Sequence, residues 1–99
     1  MRATAEKRGS AVTHPGEVVA QLMKSKGVGP GQLAAHLAVT RSTLHRVLSR
    51  AGSISPLMAN RLALAFAGTS PEYWLGLQTA WDLEAIRPRA RRLRIRPIS

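Results

Sequence analysis

The sequence predicts an all-α domain of five helices. Three observations predict it. Apolar residues recur at three- and four-residue spacings through the body of the chain, which places them on one face of a helix. Several of these segments open at a proline, namely Pro15, Pro30, Pro56 and Pro71. Proline fits a first helical turn because the N–H it lacks would have no partner there. Few runs are β-branched with a period of two, so strands have little support. A length of 99 residues makes one small domain. A single core of that size gives only a few kcal/mol of stability, which makes a homodimer useful.

Helix one is expected to start at His14-Pro15. Glu17 puts negative charge near the positive helix end. Val18, Val19, Leu22 and Met23 form its apolar face, Lys24 and Lys26 suit the last turn, and Gly27 can take the left-handed cap. Helix two begins near Pro30 and carries Leu33, Ala34 and Leu37. After the Ala38-Val39 turn, Thr40 is an N-cap for helix three, its hydroxyl accepting from an otherwise free backbone N–H. Helix three turns Leu44, Val47 and Leu48 inward and leaves Arg41, Ser42, His45 and Arg46 outward. It ends within Arg50-Ala51-Gly52-Ser53. Helix four starts at Ser55-Pro56, buries Ala59, Leu62, Ala63 and Phe66, and stops at Gly68. Helix five starts at Thr69-Ser70-Pro71-Glu72, with Tyr73, Trp74, Leu77 and Trp81 on its apolar side. Pro88 is expected to keep it from running far past Ile86. Trp74 suits the core. Trp81, near the domain end, suits a subunit contact, because tryptophan is enriched at interface hot spots.

The ends differ from this body, residues 14–86. Residues 1–13 hold almost no large apolar side chain and read as a mobile arm. Residues 87–99 form a tail with six arginines and no acid. The whole chain has a formal net charge of +10, of which the tail supplies +6 and the body only +2. A basic balance suggests a polyanionic partner such as nucleic acid. The tail itself has three readings: a solvated end, an extra grip on phosphates, or a strand that pairs with a partner through Leu93-Arg94-Ile95.

Composition excludes several classes. There is no cysteine, hence no disulfide framework and no thiol chemistry. His14, His36 and His45 stand apart from one another and from acidic clusters, so no metal and no cofactor is expected. No hydroxyl has a base and an orienting group at a matching spacing, which argues against an enzyme. No apolar run approaches the ~20 residues that span a bilayer, and the first residues do not read as a signal peptide. A cytoplasmic protein without a membrane partner is the expectation.

The chemistry concentrates between Gln32 and Arg46. Two short helices joined by a tight turn, the second with a polar first half, make a helix-turn-helix. A major groove is wide enough for that second helix. Arg41 and Arg46 can bond guanine edges or phosphates. Ser42 and Thr43 are short enough for base edges or phosphate, and Thr40 can bring its methyl to a thymine. Gln32 can hold a phosphate beside the free N–H groups that open helix two. His45 lies on the same outer face and joins this set, a merely solvated histidine being the other reading.

Residues 14–83 resemble the HigA-type antitoxins, a branch of the XRE/Cro, lambda-repressor-like helix-turn-helix proteins. Three motifs carry the resemblance: His14-Pro15-Gly16-Glu17; Gln32-Leu33-Ala34 through Val39-Thr40-Arg41 to Leu44 and Leu48; and Thr69-Ser70-Pro71-Glu72-Tyr73-Trp74-Leu75 with Leu77-Gln78. The first and third are the more specific. The chain departs from the family where Ala38 replaces a frequent turn glycine and where Gly29-Pro30-Gly31 replaces a polar start of helix two. The tail lies outside the pattern. The resemblance implies a type II antitoxin that dimerises, represses from an inverted-repeat operator and neutralises a HigB-like mRNA endonuclease toxin. It implies operator contacts at Gln32, Thr40, Arg41, Ser42, Thr43 and Arg46. The other readings are a stand-alone XRE-type repressor, a basic protein–protein adaptor, and a nucleic-acid chaperone working through the tail.

Overall fold

The computed structural model describes residues 12–98, so nearly all of the expected N-terminal arm, residues 1–11, lies outside the described residues. Five helices follow one another: α1 (Pro15–Lys26), α2 (Pro30–Leu37), α3 (Arg41–Leu48), α4 (Pro56–Ala65) and α5 (Pro71–Ala90). There is no strand among the described residues.

The starts are local chemistry. The His14 side chain accepts from the Gly16 N–H through Nδ1 at 2.9 Å, so the residue before Pro15 is itself the N-cap of α1. Ser55 accepts from the Met58 N–H and Ser70 from the Tyr73 N–H, each at 3.0 Å. Gly29 has no side chain to cap α2. Its own N–H donates instead to Gln32 Oε1 at 3.0 Å, half of a capping box. Gly27 ends α1 in the left-handed region at φ 67°. Ala38 ends α2 in the same region, φ 60° and ψ 43°, although a Cβ is disfavoured there.

The end of α5 differs from expectation. It does not stop near Ile86 but runs on to Ala90 with Pro88 inside it. Proline removes the bond to the carbonyl four residues back, that of Glu84. The two turns around it are exposed, so water can serve that carbonyl, and the rule that a proline breaks a helix loses its force.

One core joins all five helices. Val19, Leu33, Leu37, Leu44, Val47, Met58, Leu62, Phe66 and Trp74 are all buried. α4 packs on α5, α1 and α2 both pack on α3, and α2 also meets α4. The α1–α3 contact needs a glycine: a Cβ on Gly16 would run into the Val47 carbonyl oxygen, and backbone cannot give way as a side chain can. At the α4–α5 corner the Trp74 Nε1–H donates to Thr69 Oγ1 at 2.9 Å, and that hydroxyl donates to the Phe66 carbonyl at 2.7 Å. The one polar atom of a fully buried indole is thus satisfied. Gln78 is buried as well. Its Oε1 accepts from the Ile54 N–H at 3.1 Å and its Nε2 donates to Asp82 at 3.0 Å, tying the loop before α4 to the middle of α5.

Candidate nucleic-acid interface

α3 is held from one side only. Leu44 and Val47 are buried, and Thr40, Arg41, Ser42, Thr43, His45 and Arg46 are all exposed. The two sets are what a 3.6-residue period makes of this segment. Gln32 is exposed at the start of α2. The structure therefore leaves all seven expected residues at the surface, six of them on one short stretch of α3 and its cap.

Their hydrogen bonds limit what each can offer. Thr40 Oγ1 accepts from the Thr43 N–H at 3.1 Å and donates to Thr43 Oγ1 at 2.9 Å. Its hydroxyl is committed to the cap, which leaves its methyl for an apolar contact. Thr43 keeps its own hydroxyl hydrogen to donate. Gln32 spends its carbonyl oxygen on Gly29, so its NH2 remains as a donor. Arg46 donates through Nη2 to the Ala51 carbonyl at 3.3 Å. Arg41 lies in the other direction, its guanidinium against Gly31 at the start of α2. The two arginines thus rest on different neighbours, one at the start of α2 and one in the loop after α3. A major groove presents acceptors at guanine O6 and N7, and phosphates line both of its edges. Two guanidinium forks, two hydroxyls, an imidazole and an amide are a donor-rich match for that surface.

A second cluster sits behind α3. His14, 1% exposed, meets Trp81 edge-on with ring centroids 5.1 Å apart. Arg50 lies 5.4 Å from the centre of the Trp81 ring and pairs with Glu17 at 2.9 Å. Trp81, which sequence suggested for a subunit contact, is half-buried in these contacts within its own chain. Burial pushes the His14 pKa below its usual 6.5, the nearby Arg50 charge pushes the same way, and Glu17 and Asp82 oppose them. Its Nδ1 must stay unprotonated to accept from Gly16.

Sequence reasoning overlooked Arg61, whose Nη1 donates to the Leu37 carbonyl at 2.7 Å and closes the end of α2. No local signal announces it, because the partners are 24 residues apart. It also overlooked that the Arg41 guanidinium lies against Gly31 and that of Arg46 beside Gly52. For Gly31, a glycine inside the first turn of a helix, where alanine is preferred, is the available sign; Gly52 lies in the loop after α3 and gives none. Among the described residues there is no group of three or more His, Asp or Glu side chains able to hold a metal ion. No helix among them is long and apolar enough to cross a membrane.

No family model matches the chain. Among known proteins, it is 34% identical over 73 residues to virulence-associated protein A' of Dichelobacter nodosus, covering 74% of this chain and 64% of that protein. The match thus spans less than two thirds of that relative's length. It is 32% identical over 69 residues to an uncharacterised HTH-type transcriptional regulator, YddM, of Escherichia coli K12, covering 70% of this chain and 72% of that protein. Among solved structures, antitoxin GraA superimposes with a TM-score of 0.81 at 32% identity, covering 91% of this chain and all of GraA. GraA has also been solved in complex with its operator, with a TM-score of 0.75, 32% identity and 94% and 98% coverage. An addiction module antidote protein of the HigA family from Coxiella burnetii gives a TM-score of 0.73 at 35% identity, covering 87% of this chain and 97% of that one.

Proposed function

The chain belongs to the HigA-type antitoxins of the repressor-like helix-turn-helix family, and from that membership we propose that it binds an operator through α3, represses transcription there and neutralises a HigB-like toxin. It is a binding protein and not an enzyme. The observation that carries the DNA reading is the division of α3: Leu44 and Val47 anchor it, and its entire outer face is donor side chains that the fold does not use for its core. GraA, 32% identical, has a structure in complex with its operator, which supports operator DNA as the partner.

A homodimer completes the reading. Two copies of α3 about 34 Å apart meet successive major grooves on one side of the duplex and read an inverted repeat. The distal turns of α5 supply a partly exposed apolar surface for the second copy: Leu83 is 50% and Ile86 42% exposed among the described residues. An operator-bound repressor works in the cytoplasm, where the DNA is.

Two experiments test this reading. Footprinting on the DNA upstream of the gene is expected to protect an inverted repeat with half-sites about 10 base pairs apart. Co-expression with the adjacent open reading frame is expected to rescue growth that this frame alone arrests. A second reading, a regulator without a toxin, is favoured by the similarity to YddM. Protection of the repeat with no rescue of growth would establish it.

A further inference from the structure

We propose that Gly31 and Gly52 are positioning residues for DNA binding, each a seat that holds one recognition arginine in place. The proposal rests on the reading of α3 as the DNA-contacting helix. Arg41 and Arg46 are its two longest outward side chains and would otherwise be the freest, since an exposed arginine has many rotamers. In the structure each lies flat on a glycine. Arg41 runs back over the first turn of α2, where a Cβ on Gly31 would collide with Arg41 Nη2, 2.9 Å from Cζ and 3.2 Å from Nε. Arg46 runs forward past the end of α3, where a Cβ on Gly52 would lie 3.0 Å from Nη2, 3.3 Å from Nε and 3.5 Å from Cζ.

The backbone does not ask for glycine at either place. The described glycines with positive φ are Gly27 and Gly68, so Gly31 and Gly52 both have conformations open to alanine. Gly31 even lies within α2, where alanine is the better helix former. Nor does the core require it, because the three atoms nearest to a Cβ at either position all belong to the end of an exposed arginine. What glycine provides is room for the guanidinium to lie against the chain. The two seats direct one arginine toward the start of α2 and the other toward the loop after α3 before any ligand arrives, and a preorganised side chain loses less freedom on binding.

The test uses the full chain and double-mutant cycles. Gly31→Ala and Gly52→Ala are expected to melt no lower than the parent and to bind operator DNA about tenfold more weakly. In an Arg41→Ala background, Gly31→Ala is expected to change the dissociation constant less than twofold, and Gly52→Ala likewise in an Arg46→Ala background. Parent-like binding by both glycine variants overturns the proposal. So does an equal loss with and without the arginine, which assigns the effect to a Cβ touching DNA directly. If Arg41→Ala and Arg46→Ala themselves bind as the parent does, the DNA reading of α3 fails, and the seats with it. If those weaken binding and the glycine variants do not, only the seats fail.

Discussion

The outer face of α3 and the distal half of α5 are both exposed, yet they are exposed for different reasons. α3 has buried what is apolar on it, and the side chains left outside are donors held by caps and seats. α5 does the same only as far as Trp81, which packs on His14. Beyond Trp81 its apolar residues Leu83 and Ile86 are only half covered by the described chain. A polar surface that folding does not need calls for a polar partner. An apolar surface that folding leaves open calls for more protein. On the proposed reading, the first surface meets nucleic acid and the second a second chain.

The largest effect is expected where this contrast is broken on the α5 side. Leu83→Asp with Ile86→Asp should convert a dimer to a monomer by analytical ultracentrifugation and lower operator affinity at least tenfold, with helicity retained. A dimer of unchanged stability would move the interface elsewhere.

The next effect lies at the boundary between the packed and open halves of α5. Gln78→Leu leaves the buried Ile54 N–H without an acceptor. A buried unsatisfied donor costs about 1–3 kcal/mol, to be read by urea unfolding.

On the α3 side, Ala38→Gly removes a Cβ from the left-handed residue that aims α3. It should stabilise the fold by about 1 kcal/mol in the same assay. A destabilised variant would mean that Ala38 makes a contact worth more than its strain.

The smallest effect sharpens the link between the two regions. His14 joins the α1 start to Trp81 on α5, and its folded pKa lies below the unfolded value of 6.5. Below that value the unfolded chain binds the proton more readily. The stability that His14 contributes is therefore full above about pH 6.5 and is lost as pH falls through its lower folded value. Melting temperature should fall with acidity across that window, and His14→Asn, which keeps a capping side chain, should flatten the slope.

Much of this contrast was legible in the sequence, and the reason is range. The starts of α1, α3, α4 and α5 are written within four residues, in His14-Pro15, Thr40, Ser55-Pro56 and Ser70-Pro71, and each appears where it was expected. The outward set on α3 follows from period alone. Gln78 was not legible, because a glutamine reads as surface until Ile54, 24 residues away, is brought to it. The end of α5 is not legible from Pro88 alone, because whether a proline ends a helix depends on whether water reaches the carbonyl it leaves free. The arginine seats depend on Gly31 and Arg41 meeting across two helices, and spacing does not report that.

The central claim is that α3 reads DNA with side chains the fold itself can spare. Arg41→Ala with Arg46→Ala tests it most directly, with operator titration and circular dichroism on the same sample. A bidentate arginine–guanine contact is worth about 1–3 kcal/mol of discrimination. Loss of specific binding with an unchanged helical spectrum is the predicted result. Unchanged operator affinity in a folded variant would contradict it.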